Sequence, residues 1–124
     1  MNKYSENAIA IATVIGNYFN GVYNGDIELL RSVFHPEALV VGDVNDVPYF
    51  KTFSEYLDVV KNRKSPSDLG ESFRMEILSM EIINSIAVVK ARLGMFEFNY
   101  TDLLSLNIIN GRWLIVNKLM TNVK

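Results

Sequence analysis

The sequence lacks cysteine altogether and holds a single histidine in 124 residues. Without cysteine, the chain has no disulfide bond, no thiolate ligand for zinc or an iron–sulfur cluster, and no thiol nucleophile. One histidine is too few for most histidine-based metal sites. We therefore predict that this protein carries no cofactor and no metal ion.

The sequence also has no long hydrophobic run and no excess of positive charge. No stretch stays apolar for the roughly 18 residues that a membrane-spanning helix needs, so we expect no association with a membrane. Lys and Arg number 12 against 14 Asp and Glu, which argues against a nucleic acid partner. Residues 1–16 lack the basic and apolar segments of a signal peptide, and we predict a cytoplasmic location.

The composition that is present is typical of a globular protein. Hydrophobic residues make up 49% of the chain and charged residues 21%. No linker, internal repeat or low-complexity tract interrupts the sequence. Residues 1–124 are therefore predicted to form a single domain around one hydrophobic core.

Two helices are predicted near the start of the chain. Residues 4–24 carry apolar side chains at helical spacing and should form one long helix. Gly25 ends this helix because glycine adopts a positive φ without a Cβ penalty. Asp26 then caps a short helix over residues 27–34, and His35-Pro36 ends it because the residue before proline avoids the helical conformation.

A third helix follows two short predicted strands. The strands lie over residues 38–44 and 47–50, the second of them broken by its proline. Thr52 and Glu55 have the spacing of a capping box, which opens the helix. The basic cluster at residues 61–64 closes it, and we interpret that cluster as a solvent-exposed helix end.

From residue 73 onward the sequence is rich in β-branched, aromatic and apolar residues. Strands are predicted over residues 73–83, 86–98, 100–109 and 112–121. Asn110-Gly111 between two apolar runs is a strong hairpin signal. Helices followed by a four-stranded meander predict an α+β fold rather than a βαβ arrangement.

Apolar residues occupy both faces of the later strands. Leu104, Leu106 and Ile108 alternate with Leu103 and Ile109, whereas a sheet wetted on one face would alternate with polar residues. Three helices can cover only one face. We therefore predict a homodimer through the other sheet face. The alternative is a surface with more exposed apolar area than usual.

Three segments of the sequence resemble a known superfamily. They are YFNGVYNGDIELLRSVFHPEALVVGD, TFSEYLDVV and YTDLLSLNIINGRWLIVNKL. They resemble the nuclear transport factor 2-like superfamily and, within it, the small bacterial domains labelled putative lumazine-binding. The resemblance runs from about residue 4 to residue 122. It implies a cystatin-like cone, in which a curved mixed or antiparallel sheet wraps around N-terminal helices and leaves a pocket at its open end. Dimers are common among such proteins.

The superfamily also includes ketosteroid isomerase, which needs a carboxylate base and an oxyanion hole of a tyrosine and a protonated aspartic acid. Alignment at the Gly25-Asp26 hinge matches Tyr18 to that tyrosine. The same alignment brings Gly42 to the base position, and glycine transfers no proton. Asp43 is next to it but points to the opposite face of the strand unless a bulge turns it inward.

Asp102 and His35 are the other candidate catalytic residues. Asp102 shares its strand face with Leu104 and Leu106, where burial raises a carboxyl pKa and makes it a candidate acid or hydrogen-bond donor. The alternative is a structural carboxylate satisfied by backbone N–H groups or by a nearby Arg or Lys. His35 is the only imidazole of the chain and a candidate general base, but a histidine at a helix end can equally serve only to bond a carbonyl.

Ring side chains are the candidates for the pocket walls. The predicted ligand-binding residues are Tyr18, Tyr49, Phe53, Tyr56, Asp102 and Trp113. Aromatic walls stack on flat molecules and their polar tips orient them, although rings at such spacing also form ordinary core. Lys90, Arg92 and Lys118 interrupt apolar strands. One interpretation is that they reach the mouth of the cone and attract an anionic group of a ligand. The interpretation that we favour is that they are surface charges or interface pairs.

Together these features predict a protein that binds an unidentified small hydrophobic or heterocyclic ligand in the cone pocket. The missing base at position 42 favours binding over catalysis. Two alternatives stay open. The first is an isomerase, dehydratase or cyclase that transfers protons in the same pocket, with Tyr18 and Asp102 polarising a substrate oxygen and Asp43 or His35 as base. The second is a protein-interaction module, because fold alone does not imply function.

Overall fold

The computed structural model describes residues 2–124. Over this range three helices and six strands follow one another. In chain order they are α1 (Lys3–Asn24), α2 (Ile27–Val33), β1 (Phe34–Val44), β2 (Val47–Thr52), α3 (Phe53–Asn62), β3 (Met75–Ile83), β4 (Ile86–Met95), β5 (Phe98–Ile109) and β6 (Arg112–Asn122). This is the predicted α+β fold, with the helices early in the chain and a meander at its end.

Capping residues set the helix ends where the sequence indicated. Asp26 caps α2, and its side chain accepts a hydrogen bond from the Leu29 N–H at 3.1 Å. Gly25 ends α1 with a φ of +65°, a left-handed conformation that only glycine adopts freely. Thr52 and Glu55 form the predicted capping box at the start of α3. These local signals confirm the predicted helices to within a few residues at each end.

The first strand begins earlier than predicted. α2 ends at Val33 and β1 starts at Phe34, so His35-Pro36 lies inside the strand rather than in a connection before it. The pairing of β1 with β6 shifts register between Phe34 and Leu39. This irregularity accommodates the proline, which has no N–H to give to a regular ladder.

The six strands form one mixed sheet in the order β2-β1-β6-β5-β4-β3. β1 and β6 are parallel and all other neighbours are antiparallel. β2 runs unbroken through Pro48 to Thr52, contrary to the predicted break. It is an edge strand, where a missing N–H leaves no partner unsatisfied.

The turn between β4 and β5 comes two to three residues before the predicted break between the strands 86–98 and 100–109. Asn99, the residue at that break, is paired with Gly94 inside the ladder. The chain reverses at Phe96-Glu97, which have φ values of +55° and +67°. β3 similarly starts at Met75 rather than at residue 73. In both places strand pairing outweighs the local preference of the residues.

The helices and the inward side chains of the sheet enclose the hydrophobic core. Residues on alternate positions of β5 are buried against the helices, among them Leu104 and Leu106. Leu103 faces the opposite way and is 39% exposed. We call these two sides of the sheet the inner face and the outer face. No helix within residues 2–124 is long and apolar enough to cross a membrane.

Candidate functional site

Four polar side chains meet between the helices and the inner face of the sheet. The Tyr18 hydroxyl of α1 donates a hydrogen bond to Asp102 Oδ2 of β5 at 2.6 Å. Lys118 Nζ of β6 donates to the Tyr56 hydroxyl of α3 at 3.1 Å and lies 5.1 Å from the centroid of the Tyr18 ring. Asp102 and Lys118 are 1% and 2% exposed. We call Tyr18, Tyr56, Asp102 and Lys118 the polar core.

Burial dominates the protonation of this cluster. It raises the pKa of Asp102, because desolvation penalises a carboxylate, and the charge of Lys118 and the Tyr18 hydrogen bond offset only part of the rise. Burial also raises the pKa of Tyr18 well above its ordinary value, and the charge of Asp102 adds to the effect. Tyr18 therefore keeps its proton at neutral pH and serves as a hydrogen-bond donor.

A partly enclosed cavity of about 140 Å³ adjoins the polar core. It lies between α3, the β1–β2 hairpin and the ends of β4, β5 and β6. Its walls are Val44, Tyr49, Tyr56, Val59, Arg63, Met95, Tyr100, Lys118 and Met120. We call it the cone cavity. Other hollows in residues 2–124 have volumes of about 350 to 460 Å³, but they are more open grooves on the surface.

Tyrosine hydroxyls supply much of the polar surface of the cone cavity. Burial raises the pKa of Tyr49 to about 12, and the neighbouring Tyr56 adds to the rise. Burial also raises the pKa of Tyr100, while the positive charge of Arg63 opposes the rise at both residues. Tyr49 and Tyr100 are therefore neutral at physiological pH, and each can donate one hydrogen bond to a ligand.

Arg63 enters the cavity from the end of α3. It follows the last helical residue, Asn62, in an extended conformation with φ −108° and ψ 160°. Its guanidinium carbon lies 4.9 Å from the centroid of the Phe96 ring. Its Nε and Nη2 atoms are buried and have no hydrogen-bond partner, the only such side-chain atoms in the described part of the chain. Buried polar atoms without partners are costly, which makes this pair a candidate for ligand contact.

The structure brings together some of the predicted ligand-binding residues. Tyr49 and Tyr56 lie on the wall of the cone cavity. Tyr18 and Asp102 belong to the polar core and do not line the cavity. They adjoin it through Lys118, which contacts the Tyr18 ring on one side and the cavity on the other.

Phe53 and Trp113 lie away from the cone cavity. The Phe53 ring stacks on Phe34 with centroids 4.7 Å apart and lines a separate groove beside α2. Trp113 donates a hydrogen bond to Asn7 Oδ1 at 3.3 Å and lines a groove near the start of α1. Both rings are buried, so their contacts in this structure are those of the hydrophobic core, the alternative that the sequence left open.

The candidate bases are also outside the cavity. Asp43 accepts a hydrogen bond from the Thr121 hydroxyl at 2.7 Å on the outer face, and its strand pairing is regular, so no bulge turns it inward. A Cβ at Gly42 would lie 1.8 Å from the Met120 carbonyl oxygen, so the base position has no room for a side chain. His35 is half-buried, and its Nδ1 accepts a hydrogen bond from the Glu37 N–H at 3.0 Å.

Three polar residues of the cavity wall, Arg63, Tyr100 and Lys118, were not among the predicted ligand-binding residues. The interpretation of Lys118 as a surface charge is wrong, because its side chain is buried in the polar core. The interpretation of the basic cluster as a solvent-exposed end is wrong for Arg63. Tyr100 shares its strand face with Asp102, a signal that was available. Lys90 and Arg92 are exposed as expected, and Arg92 pairs with Glu76 at 3.3 Å.

A metal ion needs a set of ligand side chains close together among the described residues. Across residues 2–124, no three His, Asp or Glu side chains come close enough together to hold a metal ion. The groups that the cone cavity offers to a ligand are instead cationic nitrogens, phenolic hydroxyls and apolar surface.

The fold and the cavity together define a class of protein: a small α+β domain whose curved sheet encloses a long helix and a pocket. The chain belongs to the family described as putative lumazine-binding, whose sequence profile matches residues 6–121. This is the family that the resemblance in the sequence implied. No curated protein matches the chain significantly.

Solved structures share the fold at low sequence identity. An NTF2-like protein of unknown function from Silicibacter pomeroyi DSS-3 has a TM-score of 0.88 and 19% identity, over 98% of this chain and 100% of that one. An NTF2-like protein of unknown function from Shewanella baltica OS155 has a TM-score of 0.85 and 23% identity, over 100% and 99%. An uncharacterised protein with a cystatin-like fold from Caulobacter vibrioides has a TM-score of 0.65 and 18% identity, over 96% and 91%.

Proposed function

We propose that this protein binds a small organic molecule in the cone cavity. The observation that carries the proposal is the composition of the cavity wall. Methionine and valine side chains give it apolar surface, and three tyrosines combine a flat ring with a hydrogen-bonding tip. Ligand pockets typically combine apolar walls with a few convergent polar groups.

The volume of the cavity limits the ligand to a small one. An apolar cavity of about 150 Å³ holds one benzene molecule. The cone cavity has about 140 Å³ and therefore matches a single ring or a short aliphatic chain. The family's description names lumazine, a flat heterocycle of two fused rings. Aromatic walls suit such a molecule, but the enclosed volume favours a ligand of one ring.

Ligand capture is better supported than proton transfer. A general base must come within hydrogen-bond reach of the substrate, directly or through one water. Neither Asp102 nor any other carboxylate lines the cavity, and Asp43 lies on the outer face. The hydrogen-bonded Tyr18–Asp102 pair is what still favours an isomerase, dehydratase or cyclase, and it makes that activity the second candidate.

We also propose that two copies of the chain associate through the outer face. Phe50, Val41, Leu119 and Leu103 are directly opposite one another on four neighbouring strands. Together they form an apolar row across β2, β1, β6 and β5. A homodimer would cover this row, and a protein partner of another kind is the third candidate. The cytoplasmic location predicted from the sequence stays a prediction.

Native mass spectrometry combined with fragment screening tests the binding function. We expect the purified chain to retain a small molecule, or to bind small aromatic fragments detected by ligand-observed NMR. Val59→Phe should fill the cavity and abolish this binding, because Val59 lies on its wall. Val123→Phe is the matched control, since Val123 is exposed beyond the last strand. Fragments that bind Val59→Phe as well as the wild type would contradict the proposal, as would a complete absence of binding.

A further inference from the structure

Arg63 lines the cone cavity, and one edge of its guanidinium group has no hydrogen-bond partner. The two atoms without partners, Nε and Nη2, carry N–H groups that point in the same direction along that edge. The two oxygens of a carboxylate match this spacing and accept two parallel hydrogen bonds. Such pairing would satisfy both donors at once, which a single hydroxyl or carbonyl oxygen could not do.

The Phe96 ring holds that edge in place. The guanidinium carbon lies 4.9 Å from the ring centroid, within the range of a cation–π contact. Phe96 itself has a φ of +55°, an unusual conformation for a bulky residue. The β4–β5 turn thus brings an aromatic ring beneath the guanidinium group, and less side-chain entropy is lost when Arg63 binds a ligand.

Lys118 adds a second positive charge to the same wall. Among the described residues, its hydrogen-bond partner is the Tyr56 hydroxyl, although an ammonium group has three donors. The rings of Tyr18 and Tyr56 face its charge at 5.1 Å and 4.6 Å from their centroids. Aromatic contacts stabilise the buried ammonium without neutralising it.

No acidic residue balances these charges on the cavity wall. The wall contains two cations, three tyrosines and four apolar residues, with no Asp or Glu among them. The whole chain, in contrast, has a net charge of −2. Asp102 is the acid of the polar core, and its hydrogen-bond partner is Tyr18 rather than either cation. The cavity therefore has a local excess of positive charge in a slightly acidic protein.

We propose that the ligand of the cone cavity is a small monocarboxylate, with an aromatic ring or a short aliphatic chain. Its carboxylate binds the free edge of Arg63 in a bidentate manner, and Lys118 supplies the second positive charge. Its apolar part packs against Met95, Met120 and the tyrosine rings. This inference rests on the proposed binding function and specifies the class of ligand. Phosphate is less suited, because it is more strongly hydrated and much of the wall is apolar.

Benzoate and benzamide test the inference, because they share a shape and differ in charge. Binding of each to the wild-type protein is measured by isothermal titration calorimetry at constant ionic strength, with inorganic phosphate as a third probe. We expect benzoate to bind about 10- to 100-fold more tightly than benzamide, the range for hydrogen bonds to a charged group. Phosphate should bind more weakly than benzoate.

Variants of Arg63 separate charge from geometry. Arg63→Met should lower benzoate affinity about 10-fold or more and lower benzamide affinity much less, because an amide offers one uncharged acceptor. Arg63→Lys keeps the charge but loses the bidentate edge, so it should recover only part of the affinity. Arg92→Met is the matched control, because it removes an exposed charge elsewhere and should change nothing. Circular dichroism and a melting curve establish that each variant is folded.

The possible results distinguish this inference from the function on which it rests. Equal binding of benzoate and benzamide, both blocked by Val59→Phe, would overturn the carboxylate assignment and leave the binding function intact. Benzoate binding that Arg63→Met does not weaken would overturn it as well. Absence of benzoate binding to the wild type would also contradict the inference, while the fragment screen decides the binding function independently.

Discussion

At the scale of single residues, the most consequential feature is a buried carboxyl group whose hydrogen-bond partner is a neutral tyrosine. Asp102 is 1% exposed, and it has no ion pair within 4.0 Å in the described chain. The ammonium of Lys118 acts on it through space and through a neighbouring aromatic ring. Such a group ties the stability of the fold to pH, because only the folded state desolvates it.

The exchange Asp102→Asn should therefore change how stability depends on pH. Burial raises the pKa of Asp102 in the folded state, so the folded state binds more protons than the unfolded state from about pH 4 upward. The wild type consequently loses unfolding free energy as pH rises through this window, by about 1.4 kcal/mol for each unit of pKa difference. The asparagine side chain keeps an acceptor for Tyr18 and has no charge. The unfolding free energy of the variant should therefore rise relative to that of the wild type as pH rises.

Urea unfolding at several pH values between 3.5 and 7.5 measures this difference. Tyr18→Phe is the companion variant: it removes the hydrogen bond that lowers the pKa of Asp102, and it should steepen the pH dependence. We expect Tyr18→Phe also to cost about 1–3 kcal/mol at neutral pH, the typical penalty for an unsatisfied buried group. A difference between wild type and Asp102→Asn that stays constant over the whole range would contradict the assignment.

Single residues also mark the limit of what the sequence predicts. Strand alternation predicted that Asp102 is buried, and helical spacing predicted that Tyr18 is in the core. Their hydrogen bond joins residues 84 positions apart in the sequence, and no local pattern predicts a contact between residues so far apart. Arg63 was missed for a different reason. It lies one residue beyond α3, where helical periodicity no longer indicates which way a side chain points.

At the scale of elements, the hairpin turns need residues with positive φ, and two different kinds of residue occupy these positions. β1–β2 and β5–β6 reverse at Asn45-Asp46 and Asn110-Gly111, residue types that tolerate positive φ. β4–β5 reverses at Phe96-Glu97, which do not. Turn propensity therefore predicted the β5–β6 turn and misplaced the β4–β5 turn at Asn99. The continuous β4–β5 ladder and the contact of Phe96 with Arg63 determine the observed position.

Glycine at position 97 should consequently stabilise the protein. Glu97 has a φ of +67°, and the left-handed conformation costs about 1–2 kcal/mol for a residue with a Cβ. The greater freedom of glycine in the unfolded chain removes part of the gain, so we expect Glu97→Gly to add about 0.5–1 kcal/mol. Chemical unfolding measures the change in unfolding free energy, with one slope against denaturant concentration used for both proteins.

Gly111→Ala provides the reciprocal test. Gly111 has a φ of +78°, and a Cβ there would meet no atom within 4 Å, so the cost is conformational only. We expect a loss of about 1 kcal/mol. If Glu97→Gly lowered stability while Gly111→Ala had no effect, backbone strain would not be the property that distinguishes these turns.

At the scale of the whole molecule, a single curved sheet has two faces with different surroundings. Helices cover the inner face, which contains the core, the polar core and the cone cavity. The outer face exposes Val88, Leu103 and Leu119 at 45%, 39% and 44%. The sequence predicted both faces to be apolar, and that pattern is present. The cavity beside the inner face depends on how α3 and two hairpins meet, which no single segment encodes.

The apolar row on the outer face leads to the last prediction. We expect the wild type to sediment as a dimer at micromolar concentration, with about twice the monomer mass of 14.1 kDa. Leu119→Lys should produce a monomer, because Leu119 is opposite both Val41 and Leu103 at the centre of the row and a buried unpaired charge is costly. Leu69→Lys, at an exposed loop position 51% accessible, is the matched control and should remain dimeric. Sedimentation velocity of the three proteins tests this prediction. A wild type that is monomeric at these concentrations would rule out the dimer. A Leu119→Lys variant that stays dimeric would show that the interface lies elsewhere. Benzoate affinity measured on the monomeric variant should equal that of the wild type, since Leu119 is on the outer face and does not line the cone cavity.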